Sequence, residues 1–172
     1  MIPFIERFQT GIVGLVGFLG VVLTLLVNAW LERRSRLEQI AYETNKLRTA
    51  LCEELRLLRG AYRDRADLLQ RAVADMTPEI LIPLDKMTDV YRSNLGHLGL
   101  LTADEIARII SAYGRAEQIP GKFQIIGRRG GDVPPGFVLI QRQYFAATQQ
   151  LHERMLAPID DAIAVLSTAH QE

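Results

Sequence analysis

An uncharged apolar run dominates the first part of the chain. Residues 11–30 read GIVGLVGFLGVVLTLLVNAW, and no charged side chain occurs between Arg7 and Glu32. An α-helix needs about 20 apolar residues to cross the ~30 Å hydrocarbon core of a bilayer. The run is longer than the apolar part of a cleaved signal peptide, and more uniformly apolar than a buried helix of a globular domain. We therefore predict a short N-terminal tail at 1–9 and a transmembrane helix at 10–30.

The basic residues near this run lie mainly after it, at Arg33, Arg34 and Arg36. By the positive-inside rule, this asymmetry places residues 31–172 in the cytoplasm and the N-terminus outside, in a single-pass protein of the inner (cell) membrane. Trp30 lies where aromatic rings settle at the membrane interface. We predict that Trp30 and the three arginines contact lipid headgroups of the bilayer and fix the topology.

Small and polar residues form one stripe of the predicted span, at Gly17, Gly20, Thr24 and Asn28. Small residues let helices approach closely, and Thr or Asn side chains can form hydrogen bonds across the contact. The stripe is a candidate helix-packing seam for a homo-oligomer or for another protein. The alternative is a single anchor whose glycines simply face lipid, and the sequence leaves both open.

The next segment has the pattern of a long amphipathic helix that ends before Pro78. From Leu31 to about Asp75 there is no proline, and proline disfavours helix in the residue that precedes it. Apolar or partly apolar residues recur there in steps of three and four, at Leu37, Ile40, Thr44, Leu47, Leu51, Leu55, Leu58, Tyr62, Ala66 and Leu69. We predict that the transmembrane helix continues into this helix.

Shorter elements follow. Two prolines, at 78 and 83, predict an extended segment over 79–84, and Thr88 or Asp89 can cap a short helix at 90–95. Thr102 and Glu105 have the spacing of a capping box, which predicts the start of a core-packed helix.

The last third of the chain predicts a loop and a final helix. Residues 118–136 are rich in Gly, Pro and Arg and predict a long, flexible connection. A helical pattern then runs over 137–169, where Pro158 either kinks the helix or starts a new one. We expect this helix to pack antiparallel to 37–69. The predicted fold class is all-α, with a cytoplasmic helical hairpin or bundle and short middle helices at one end.

The stretch VYRSNLGHLGLLTADEIARIISAY resembles a segment of small bacterial, single-pass membrane-anchored helical proteins of uncharacterised function. In these proteins a tyrosine-containing helix, a Leu-Gly-x-Leu turn and a second tyrosine helix follow an N-terminal anchor. The resemblance covers mainly residues 88–115. It implies a helical fold and a bacterial source, and it implies no activity and no catalytic residues.

Composition argues against several kinds of partner and chemistry. Twenty basic and twenty acidic residues cancel, so no strong positive field favours nucleic acid. The single cysteine, Cys52, cannot form an internal disulfide and is best interpreted as a packed thiol in a reducing compartment. The IIGRRGGDV segment has the GxxG core of an RNA-binding KH domain, but Pro134 and Pro135 stand where the second helix would start.

No grouping of residues predicts a reaction. The three histidines, His97, His152 and His170, share no metal-ligand spacing and are interpreted as turn, surface and tail residues. We therefore predict no catalytic, cofactor-binding or metal-binding residues and no cofactor, and we expect the chain not to be an enzyme.

These patterns lead to two hypotheses of function. The first is a membrane-tethered scaffold or adaptor that acts through protein–protein contacts, because long amphipathic helices offer surface for a partner. The second is a small membrane effector, of toxin or defence type, that forms oligomers through the Gly17, Gly20, Thr24 and Asn28 seam and perturbs the bilayer.

Overall fold

The computed structural model describes the backbone of residues 2–168 and the side chains of residues 17–168. Most of this part of the chain is helical, which confirms the all-α fold class in its general form. The chain divides into two compact units after Glu43. The elements, in chain order, are α1 (Ile2–Ala74), β1 (Glu79–Pro83), α2 (Asp89–Ser93), α3 (Ala103–Ile126), β2 (Phe137–Gln141) and α4 (Phe145–Thr168), with short 3₁₀ helices at Leu95–Leu100 and Arg142–Tyr144.

The first unit consists of the N-terminal part of α1, and here the sequence-based expectation of a membrane span is corrected. Among the described residues, no helix is both long and apolar enough to cross a membrane. Residues 10–16 of the predicted transmembrane helix lie outside the described side chains. The predicted span at 10–30, and the single-pass inner-membrane localisation derived from it, are contradicted by this finding.

The predicted apolar stripe of α1 is buried only in the second unit. Leu37 and Ile40, at its start, are exposed, whereas its members from Thr44 to Leu69 are buried. After α1 ends at Ala74, Met76 adopts a left-handed backbone with φ of 58°, which turns the chain just ahead of Pro78. The predicted end of this helix is therefore confirmed.

Helix α4 lies antiparallel to the part of α1 in the second unit. The Sγ atom of Cys52 is 3.7 Å from the Ser167 hydroxyl oxygen. Two turns further along α1, the Arg59 guanidinium donates to Asp160 at 3.1 Å, nearer the start of α4. The predicted antiparallel packing of these two helices is thus present.

Helix α3 completes a three-helix core, and it is longer than the short, core-packed middle helix that the sequence predicted. It starts at the predicted capping box, in which the Thr102 hydroxyl accepts from the Glu105 N–H and the Glu105 side chain accepts from the Thr102 N–H. Apolar side chains from all three helices and from both strands form one buried cluster, whose most enclosed large members are Tyr113, Phe123, Phe145, Leu51, Leu55, Leu58, Leu69, Ile82, Ile109, Ile140, Ile159 and Leu166.

The predicted loop at 118–136 begins too early, because α3 continues through Pro120 to Ile126. A proline inside a helix removes one hydrogen bond and costs about 3 kcal/mol. Ile119 and Phe123 flank this proline and are almost fully buried. Each such side chain stabilises the fold by roughly 1.5–3 kcal/mol on burial, which offsets the proline. Pro158 likewise lies within α4, which continues past it.

A two-stranded antiparallel sheet replaces the start of the predicted final helix. β1 confirms the expected extended segment, and β2 pairs with it in a register that joins Ile80 to Ile140 and Ile82 to Val138. In β2, Val138 and Ile140 are buried and Phe137 and Gln141 are exposed. This alternation is the period of a half-buried strand, and it explains why the segment joins β1.

Gly127 follows α3 where the chain passes close to β2, and this close approach generates a stability prediction. A Cβ atom at this position would overlap Val138 Cγ2 and lie 2.9 Å from Ile140 Cδ1, both of which belong to fully buried side chains. We expect Gly127→Ala to lower the free energy of unfolding by about 1–3 kcal/mol, because a packed core accommodates an extra methyl only with strain. Urea denaturation of the full chain measures the effect.

Gly121→Ala is the matched control, because a Cβ at this exposed position of α3 meets no atom within 4 Å. In a helix interior Ala is more stable than Gly by up to about 1 kcal/mol, so this variant should be neutral or stabilised. Equal effects of the two substitutions would contradict the close approach at Gly127.

Candidate interaction surface

Exposed apolar side chains cover the described part of the first unit. Trp30 is 58% exposed. Contiguous exposed apolar surface of this kind marks sites of contact with other molecules. The exposed large apolar residues of this unit are Phe18, Leu19, Val21, Leu23, Leu25, Leu26, Val27, Trp30, Leu31, Leu37, Ile40 and Tyr42. We call the section 17–31 the apolar section of α1.

The four residues of the predicted packing seam all lie exposed within this section. The Thr24 hydroxyl donates to the Gly20 carbonyl oxygen, 2.8 Å away and one turn earlier. A Cβ atom at Gly17 or Gly20 would meet no other atom within 4 Å. The surface at Gly17, Gly20, Thr24 and Asn28 is therefore open, and its role as a packing seam stays a prediction.

The residues predicted to contact lipid headgroups form local pairs on the same helix. The Arg34 guanidinium lies 5.8 Å from the centre of the Trp30 ring and donates to Glu38 at 2.9 Å. Arg36 donates to Glu32 at 2.5 Å. These i, i+4 pairs stabilise a helix by a few tenths of a kcal/mol each. The headgroup role proposed for Trp30, Arg33, Arg34 and Arg36 depended on the span that the structure contradicts, and we do not retain it.

In the second unit, the carboxyl group of Glu54 is the centre of a buried polar cluster. It accepts hydrogen bonds from the Tyr113 hydroxyl at 2.7 Å, from the Val90 N–H at 2.7 Å and from the Tyr91 N–H at 2.9 Å. The rings of Tyr91 and Tyr113 stack with their centres 4.1 Å apart. Burial, the hydrogen bond to Glu54 and the nearby carboxyl charge all raise the pKa of Tyr113 above its ordinary value. Through the Glu54 carboxyl group, the cluster joins α1, α2 and α3.

A second buried carboxyl group, that of Glu105, joins the start of α3 to α1. Arg48 donates to it at 2.7 and 3.2 Å, and the Thr102 N–H donates at 2.7 Å. Burial alone would raise the pKa of Glu105, but the hydrogen bonds from Arg48 and Thr102 outweigh it and hold the pKa below its ordinary value. Glu105 therefore serves both the capping box and an ion pair between helices.

His152 is a buried core residue and not the surface residue that the sequence suggested. Its side chain is 0% exposed and lies 5.6 Å from the Tyr62 ring and 5.1 Å from the Phe123 ring, between ring centres. Nδ1 is 2.8 Å from the Thr148 carbonyl oxygen, to which it can only donate, and Nε2 has no hydrogen-bond partner among the described residues. Burial lowers the pKa of His152 to about 4, with the Arg65 charge acting in the same direction and the Thr148 contact opposing it. The imidazole is thus neutral near pH 7.

The remaining candidate residues are spread over the second unit. Cys52 is buried, as expected for a packed thiol. His97 is exposed in the 3₁₀ segment, and His170 lies outside the described residues. The GxxG segment lies in the connection from α3 to β2, where Arg128 pairs with Leu139 through the backbone. Within the described side chains, no three His, Cys, Asp or Glu residues come together as a metal site would require.

No protein-family model, curated protein or solved structure matches this chain. The resemblance of residues 88–115 to small bacterial anchored proteins accordingly stays a prediction. The arguments about function below depend on the contacts of this molecule alone.

The Glu54 cluster predicts different effects on stability for removing the hydroxyl groups of its two tyrosines. Tyr113→Phe should lower the free energy of unfolding by about 1–3 kcal/mol, because it removes one of the three donors to the buried Glu54 carboxyl group. Tyr91→Phe keeps the stacked ring and removes a hydroxyl that has no contact with Glu54, so it should change stability by less than about 0.5 kcal/mol. Urea denaturation of both variants tests this, and a smaller effect at Tyr113 than at Tyr91 would contradict the role of Glu54.

His152 generates a prediction about pH. Its pKa of about 4 in the fold lies below the ordinary value of 6.5, so the unfolded chain binds more protons between these values. The free energy of unfolding should therefore fall as the pH drops from about 6.5 to 4, with a His152 contribution on the order of 3 kcal/mol. His152→Leu should remove this component in denaturation curves measured across that range.

His97→Gln is the control, because it removes a histidine from an exposed position of the same unit. Carboxyl groups also titrate toward the acid end of the range, so the difference between the parent and His152→Leu profiles is the quantity to compare. Parallel profiles would show that His152 does not have the lowered pKa.

Proposed function

We propose that this protein is a scaffold or adaptor that acts through protein–protein contacts, has no catalysis of its own, and docks its partner on the apolar section of α1. The observation that carries the proposal is the row of large apolar side chains exposed on 17–31. A helix of a globular protein normally turns one apolar stripe toward its own core. In this section apolar side chains point in all directions.

The energy available at this surface is large. Burying a Leu, Val, Phe or Met side chain that was exposed contributes roughly 1.5–3 kcal/mol. Leu23, Leu26 and Trp30 follow each other in steps of three and four, so a partner helix packed on this one face can cover all three. Such aromatic and aliphatic anchors, close together, are what dominates the affinity of protein interfaces.

The polar residues that follow the apolar section support the same proposal. Arg34, Arg36 and Gln39 each donate to an acidic side chain four residues away, so their polar groups are satisfied within the helix. Charges paired in this way add little to affinity. Association should therefore depend on the apolar side chains and only weakly on salt.

The proposal assigns no reaction to the protein because its buried carboxyl groups already have structural uses. Glu54 joins three elements, and Glu105 is engaged by Arg48 and Thr102. A general acid or base must instead reach the proton that it transfers.

Site-specific photocrosslinking in the producing cell tests the proposal. A photoreactive phenylalanine analogue at Leu26 should give a discrete crosslinked product, either with a second copy of the chain or with one reproducible partner protein. With the analogue placed at Trp30 instead, the double variant Leu23→Ser, Leu26→Ser should reduce the yield of crosslinked product by about tenfold or more. The reason is that this variant removes two apolar contacts.

The same analogue at Gln70 is the control, because Gln70 is an exposed polar position of the second unit. A product specific to Leu26 that contains only this chain would identify a homo-oligomeric scaffold, and one that contains another protein would identify an adaptor. Identical products from both positions, or none from either, would contradict docking on the apolar section.

A further inference from the structure

A groove between α3 and α4 in the second unit combines three arginines with one hydroxyl. Its cavity has a volume of about 280 Å³. Arg108, Ser111 and Arg115 line it from α3, and Arg154, Pro158 and Asp161 line it from α4. Three arginines against one aspartate give this groove a positive lining, although the whole chain has no net charge.

The register of the two helices places the arginines in a defined order. Residues 108, 111 and 115 are spaced three and four apart and lie on one face of α3, as do 154, 158 and 161 on α4. The helices are antiparallel, since Arg108 of α3 reaches Asp161 near the end of α4. Two helical turns further along α3, the same register sets Arg115 opposite Arg154.

The two ends of the groove therefore differ in charge. At one end, Arg108 contacts Asp104 at 3.4 Å and Asp161 at 3.7 Å, so its charge is balanced. At the other end, Arg115 and Arg154 form no hydrogen bond or ion pair with any described residue. Two like charges that share a cavity repel each other, and an anion between them would remove that repulsion.

We propose that the Arg115–Arg154 end of this groove binds a phosphate group, either as inorganic phosphate or as the phosphoryl group of a small molecule. The planar guanidinium donates two parallel N–H bonds, which match the oxygens of a phosphate. The Ser111 hydroxyl, between the two ends, supplies one further donor. A cavity of 280 Å³ is small for a drug-sized ligand and suits a small anion.

The charge pattern also sets where the anion lies. At the Arg108 end, the carboxylate of Asp161 repels an anion and balances the charge of Arg108. The uncompensated positive charge of the groove therefore lies on Arg115 and Arg154. This inference is independent of the proposed scaffold function, because none of its residues belongs to the apolar section of α1.

Isothermal titration of the full chain with inorganic phosphate, and separately with glycerol phosphate, tests the proposal in buffers matched in ionic strength with chloride. We expect saturable binding of at least one of the two probes. Arg115→Gln and Arg154→Gln should each weaken it by about ten- to a hundredfold, the usual effect of losing a hydrogen bond to a charged group. Circular dichroism shows whether the variants, changed only at exposed positions, remain folded.

Arg63→Gln is the matched control, since Arg63 is an exposed arginine of α1 outside the groove and has no ion pair among the described residues. It should bind phosphate as the parent does. Preference for glycerol phosphate would identify an organic phosphate as the ligand, and equal binding would show that the phosphate group suffices. No saturable binding of either probe, or equal losses in all three variants, would overturn the proposal.

Discussion

The carboxyl group of Glu54 acts as the missing cap of a helix that is distant in sequence. Helix α2 is only five residues long, and the side chain of Thr88 at its N-cap position forms no capping hydrogen bond. The N–H groups of Val90 and Tyr91, in the first turn, donate instead to Glu54 on α1. A negative group at a helix N-terminus is favourable, so one buried side chain fixes α2, and through Tyr113 also α3, on α1. The placement of the chain from 88 to 113 depends on this interaction.

The parts of the fold that could be predicted are those with short-range causes. The capping box of Thr102 and Glu105 and the end of α1 ahead of Pro78 each depend on residues within a few positions. The same residues also show where such reasoning stops. Spacing identifies Glu105 as a cap, but not its ion pair with Arg48, which is 57 residues away in sequence.

The errors have tertiary causes. Pro120 predicts a break, yet the buried neighbours of this proline hold α3 together. The β2 segment has an apolar pattern short enough to suit strand or helix, and only its pairing with β1 decides between them. His152 was interpreted as a surface residue, but it lies on the buried face of α4 together with Met155 and Ile159, three and seven residues further on. The candidate groove was missed because it needs the register of α3 against α4.

The second unit buries polar groups, whereas the first exposes apolar ones. In the second unit, carboxyl groups are buried with their donors, and the guanidinium groups of Arg115 and Arg154 share an exposed groove where an anion can reach them. In the first, the i, i+4 pairs satisfy the polar groups and the apolar side chains stay in contact with water. Water solvates an exposed guanidinium group well, whereas moving exposed apolar surface out of water lowers the free energy. We therefore expect association through the apolar section to contribute more free energy than anion binding in the groove.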